Sequence, residues 1–221
     1  MKKEWHSRIW TTIAARAGVA AVIAMLTASV LVAHAAAGEQ LTIRTRLRID
    51  RSIAPRRVAA ELRQEAEAIW EPYGVRLEWV DAETTDPGTG GVSVDVTVVR
   101  RFTGAARAGS VSILGRTFLA TETAVWRPIQ VSFDAVEDAL SERTAGRVSG
   151  AAMVLDVELA RVLGRVLAHE IGHVLINAPE HDSTGLMRAT FSPNQLVAPD
   201  RWPFRLTCAT ADRLRHRFQV R

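Results

Sequence analysis

The sequence predicts an α+β fold: a mixed, twisted sheet, one long helix packed on it, and a small C-terminal subdomain. Three observations predict it. Apolar residues alternate strictly over residues 41–49 and again over 92–99, the period of a strand with one buried face. Between them, Val58, Leu62, Ala66, Ile69 and Trp70 recur at helical spacing. Later, an apolar surface recurs every three to four residues from Leu159 to Leu175. The chain has 221 residues, 48% of them hydrophobic, which suffices for one domain with a core of its own.

The elements follow in order. Residues 1–35 read as an export signal or N-terminal anchor. Lys2, Lys3, Arg8 and Arg16 precede an uncharged run from Ala17 to Ala33, and Ala33-His34-Ala35 and Ala35-Ala36-Ala37 offer small-x-small cleavage sites. The run approaches spanning length, so an uncleaved anchor is the alternative. In either case the positive flank stays inside and the domain, residues 36–221, is delivered across the membrane. Leu41, Ile43, Thr45, Leu47 and Ile49 share one face of a half-exposed strand, with arginines mostly on the other. Pro55 suits the first turn of the helix that follows, and Pro72-Tyr73-Gly74 ends it. Val75, Leu77 and Trp79 make the next strand, Asp81 to Gly91 a loop, and Val92 to Val99 a third strand. Strand, helix, strand, strand suggests a mixed sheet with a helix across it. Between Phe102 and Pro128, Gly109–Leu114 is expected as a short strand before a turn at Gly115. Ile129 to Phe133 is expected as a strand, with Asp134 capping a short helix from Ala135. The long helix is expected from near Asp156, and Cys208 to Phe218 as a closing helix capped by Thr207 or Thr210.

Charge excludes one class of function. The formal net charge is +4, but removing residues 1–35 takes away four basic residues and only Glu4, leaving the two signs nearly balanced. The remaining arginines are scattered rather than gathered in a stripe, which argues against a nucleic-acid partner. The single cysteine, Cys208, cannot form an internal disulfide. A monomer is expected.

The chemistry concentrates between His169 and Met187. His169 and His173 stand four apart, so on a helix they point to one side, one turn above the other. Two neutral imidazoles so placed can hold a zinc ion, and Glu170 beside them can deprotonate a water bound to it. Catalytic zinc usually takes three protein ligands. His181 is the candidate third, with Glu180 and Asp182 as oxygen donors on either side of it. Of the six histidines in the chain, His6 and His34 lie in the leader, and three of the other four fall in this stretch. Asn177 can take the left-handed conformation that ends a helix, and Pro179 prevents its continuation, so the chain can turn back.

His169-Glu170-Ile171-Gly172-His173, a third histidine soon after, and Gly185-Leu186-Met187 resemble the metzincin clan of zinc metallopeptidases. The stretch His181–Met187 is similar to the end of a matrixin-type site, and closer still to small exported bacterial proteins of this kind. The likeness covers about Leu159 to Ala189. It departs from the clan pattern at Ile176 and Pro179, where the clan has glycine and its third histidine, so His181 comes two residues late. The resemblance implies a metzincin-like fold and a zinc-dependent hydrolase of peptide bonds. It makes Glu170 the general base and proton shuttle, and Met187 a turn beneath the metal rather than a ligand. It also implies an edge strand that binds extended substrate, expected at Gly109–Leu114. The partner is then a peptide or protein substrate, and the membrane is met only through an uncleaved N-terminal segment. Two other readings stay open: an exported binding protein that zinc merely stabilises, and a zinc amidase acting on cell-wall peptide. Trp202-Pro203-Phe204 belongs to a loop that either borders the specificity pocket or packs the core, and His216 is expected at the surface.

Overall fold

In a computed structural model, residues 40–53, 56–86, 91–102, 113–119, 125–144 and 152–219 are described. The N-terminal run with its cleavage sites, Pro55 and residues 109–112 lie outside them. Strand β1 (Leu41–Ile49) leads into helix α1 (Arg56–Trp70), which returns through a 3-10 turn to β2 (Val75–Val80). Then come β3 (Val92–Val99), β4 (Gly115–Thr117), β5 (Arg127–Ser132), α2 (Phe133–Thr144) and α3 (Ala152–Ile176). The C-terminal part holds α4 (Pro193–Val197) and α5 (Cys208–Phe218). Residues from Gln40 onward form one compact unit.

The sheet runs β2-β1-β3-β5-β4. Its first four strands are parallel, and β4 closes one edge antiparallel to β5. Register aligns the apolar residues in rows across the strands: Leu47 beside Val96 and Val96 beside Ile129, then Ile49 beside Val98 and Val98 beside Val131. Val96, Val98, Ile129 and Val131 are fully buried. Each such side chain removed from water contributes about 1.5–3 kcal/mol.

Against this face lies α3, with α1 packed beside it. The apolar surface expected of the long helix, Leu159, Val162, Leu163, Val166, Leu167, Ile171, Val174 and Leu175, is buried. Trp70, itself fully buried, donates its indole N–H to the carbonyl of Ala168 at 3.2 Å, closing α1 onto α3. Among the described residues no helix is long and apolar enough to cross a membrane.

Four expectations need correction. The first concerns the outer face of β1, which lies between β2 and β3: Arg48 stays exposed there, but Arg44 and Arg46 are partly covered. Arg46 donates to the carboxylate of Asp95 and to the carbonyl of Thr84, and Arg44 to the carbonyl of Asp86. Trp126 stacks on Arg46 at 4.3 Å and donates to the carbonyl of Thr85. Arginine can be half-buried in this way because its planar fork satisfies carbonyls while its flat face meets an aromatic ring. The second concerns the edge strand, which begins at Gly115; Ile113 and Leu114 precede it without being strand. Third, the cap of α2 is Ser132, whose hydroxyl accepts from the N–H of Ala135 at 3.3 Å, so the helix starts at Phe133, two residues before Ala135. Asp134 instead sits in the first turn, paired with Arg100 and Arg101. Fourth, α3 begins at Ala152, a turn before Asp156, since Ala152-Met153-Val154-Leu155 contains no helix breaker.

Candidate metal centre

Helix α3 supplies His169 and His173 from one face. Their Nε2 atoms lie 3.0 Å apart, with the rings edge to face. Each ring is fixed by its other nitrogen. Nδ1 of His169 donates to the carbonyl of Leu186 at 2.7 Å, and Nδ1 of His173 to the carbonyl of Ala178 at 2.8 Å. A carbonyl can only accept, so both protons sit on Nδ1 and both Nε2 lone pairs face one another. Burial resists the obvious relief by protonation: it lowers the pKa of His169 to about 4 and moves that of His173 the same way. Two facing lone pairs held this close are stabilised by a cation between them. Nitrogens bound to one tetrahedral ion at about 2.0–2.1 Å stand roughly 3.3 Å apart, so the donor pair fits.

The helix ends where Asn177 turns left-handed at φ 54°, and the N–H of Ala178 reaches back to the carbonyl of His173. That one turn does two things. It aims the Ala178 carbonyl at the His173 ring, and it sends the chain back past Pro179 to His181. The His181 ring centroid lies 5.3 Å from that of His169 and 4.9 Å from that of His173. Ligand atoms of the three histidines all lie within 4.8 Å of one another, so together they could hold a metal ion. His181 is exposed, leaving the centre open on its side.

Of the two flanking acids, Asp182 is occupied elsewhere. Its carboxylate accepts from the hydroxyls of Thr207 and Thr210 at 2.9 and 2.5 Å and approaches Arg213. Thr207 is the cap of α5, accepting from the N–H of Thr210. The N–H of Asp182 donates to the carbonyl of Met187 at 2.8 Å, which closes the His181–Met187 loop. Glu180 is exposed and is not among the grouped ligands.

Met187 is buried against Gly172 of α3. A Cβ on Gly172 would lie 2.2 Å from its sulfur, so glycine is what lets the loop reach the helix. The adjoining Leu186 carbonyl can therefore serve the His169 ring.

Glu170 is 6% exposed. Burial lifts its pKa to about 7, opposed by a hydrogen bond from Thr117. The Thr117 hydroxyl lies 2.7 Å from Oε2 of Glu170 and 3.0 Å from its main-chain oxygen. Thr117 stands on β4, which approaches α3 so closely that a Cβ on Gly115 would lie 2.6 Å from Oε1 of Glu170. Sequence reading missed Thr117. A three-residue strand has no period to detect, and Gly115 beside it reads as a turn.

A cleft of about 620 Å³ opens over the three histidines and Glu170, walled by apolar side chains that include Leu114, Leu119, Val166, Phe191, Leu196 and Phe204. Of Trp202-Pro203-Phe204, only Phe204 borders it; Trp202 is 72% exposed. Arg165 lies under Phe204 and is fully buried. It donates to Glu65 at 2.7 Å and to the carbonyls of Gln195, Leu196 and Asp200. Arg201 takes the other oxygen of Glu65. Burial lowers the pKa of Arg165, and the bond and charge of Glu65 oppose the shift. His216 lies exposed on α5, away from these groups.

No protein family matches the sequence, and no curated protein does. Among solved structures, the chain is similar to archaemetzincin from Methanopyrus kandleri, at 13% identity and a TM-score of 0.48, over 81% of this chain and 96% of that one.

Proposed function

We propose that the protein is an exported zinc metallopeptidase. The observation that carries this reading is the pair of Nε2 lone pairs facing at 3.0 Å, locked by two carbonyls, with a buried carboxyl on the next residue. His169, His173 and His181 would hold the ion. Zinc supplies a Lewis acid that polarises a carbonyl and acidifies water.

The chain's own residues do the rest. Glu170 takes the proton of the attacking water on its carboxylate as the water oxygen bonds to the scissile carbon. It then returns that proton to the leaving nitrogen as the C–N bond breaks. Thr117 holds the carboxyl from β4, and the apolar cleft walls exclude bulk water from it. A purely structural zinc would be closed by a fourth protein ligand. Here the fourth side is a cleft, and a carboxyl with no structural need to be buried faces it.

The test is cleavage of a peptide library by the zinc-loaded protein beside Glu170→Ala, with muropeptides included. Expected is cleavage of peptides by the parent and none by the variant, with zinc retained by both. Equal cleavage by both would reject Glu170 as the base. Cleavage of muropeptides alone would make the enzyme an amidase, and silence from both proteins would favour the binding reading. Fractionation of the expressing cells tests export: protein retained in the cytoplasm would overturn that part.

A further inference from the structure

We propose that Thr117 is a positioning residue for the reaction: its hydroxyl ties the Glu170 carboxyl to the edge strand. The inference rests on the peptidase reading for its kinetic meaning and on geometry for its structural one. β4 is only three residues long, and its alternation places Gly115 and Thr117 on the face toward α3. Arg116 points the other way, donating to Gln130 at 2.8 Å, its cross-strand partner in the β4–β5 register. With no side chain on Gly115, the strand lies against Glu170 itself. That contact brings the Thr117 hydroxyl within bonding distance of two acceptors on the same residue, Oε2 at 2.7 Å and the main-chain oxygen at 3.0 Å.

A hydroxyl has one proton to give and lone pairs to receive another. While Glu170 is a carboxylate, Thr117 donates to Oε2. An apolar residue in its place would leave the buried carboxyl without this bond. Buried polar groups without partners are expensive, so a carboxyl this buried needs a partner of this kind to hold its place.

The experiment compares Thr117→Val, which keeps the shape and removes the hydroxyl, with Thr117→Ser, which keeps the hydroxyl. Steady-state kinetics of the zinc-loaded proteins are paired with crystal structures of the metal-free proteins, and melting is followed for each. Expected for T117V is a fall in kcat of about 10- to 100-fold with KM little changed. T117S should return to within about threefold of the parent, and zinc stoichiometry should hold throughout. In the metal-free crystals the Glu170 carboxyl should leave its place in T117V and keep it in T117S. A T117V enzyme with parental kcat overturns the proposal, as does a loss that serine does not restore. If T117V fails to fold, Thr117→Ala takes its place with the same expectations. If the parent cleaves nothing, the peptidase reading fails alone, and the crystals decide: a carboxyl unmoved in T117V overturns the positioning role, and a displaced one supports it.

Discussion

At the scale of single residues, the centre is defined by where protons sit. In the metal-free protein, His169 and Glu170 pull stability in opposite directions with pH. The folded pKa of His169 is depressed to about 4, so its contribution is present above the unfolded value near 6.5 and is lost as pH falls toward 4. The folded pKa of Glu170 is raised to about 7. Its contribution is therefore full below about 4.5 and is lost as pH rises through 7. Glu170→Gln removes the second effect alone. The metal-free variant should match the parent near pH 4 and exceed it by up to about 3 kcal/mol at pH 8, read as a difference in denaturant midpoints. A gain that does not grow with pH would contradict the burial of a titrating carboxyl. His181→Ala, by contrast, should leave folding nearly unchanged, since His181 is exposed. It should weaken zinc by at least tenfold in competition with a chelating dye.

At the scale of elements, the site depends on how closely its parts can approach. Gly172 is the test case: a methyl there would meet the Met187 sulfur at 2.2 Å, and overpacking of this kind costs about 1–3 kcal/mol. Gly172→Ala should lower the melting temperature and, by pushing the loop away, also loosen the Leu186 carbonyl from His169. Zinc affinity should then fall with stability, whereas an ordinary helix Gly→Ala change raises stability. Much of this scale was legible in the sequence. The β1, α1, β2 and β3 spans follow from period alone, because each has one face in the core and one out of it. Asn177 announces the end of α3 through its tolerance of the left-handed region. Gly172 and Met187 were legible as positions, but their mutual contact was not, since nothing in the spacing fixes a distance across the loop. β4 escaped detection for want of length, and with it Thr117. The Ser132 cap was passed over in favour of the acid two residues on.

At the scale of the whole molecule, what escaped the sequence is long-range pairing of charge. Arg165 interrupts an apolar helix surface, and Glu65 lies 100 residues away on α1; no local pattern links them. Arg44 and Arg46 of β1 look solvated for the same reason, because their covers, Thr84, Asp86 and Trp126, come from distant loops. The Glu65–Arg165 pair should be the most sensitive polar contact in the fold. Glu65→Ala leaves a buried guanidinium uncompensated and should destabilise by about 3–5 kcal/mol. Arg201→Ala removes a half-exposed partner of the same carboxylate and should lower stability by about 1 kcal/mol or less. Chemical denaturation of the two variants checks the ranking, and equal losses would contradict it.

The bonds from Asp182 to Thr207 and Thr210 have a consequence for biosynthesis. His169 and His173 are made with α3, but the loop that carries His181 is anchored to the start of α5, a helix that follows it in the chain. Until that helix has been synthesised and docked, the third histidine has no fixed address. A nascent or C-terminally clipped chain would thus hold at most a two-histidine grip on its ion. Loading of the metal becomes a report that α5 has docked.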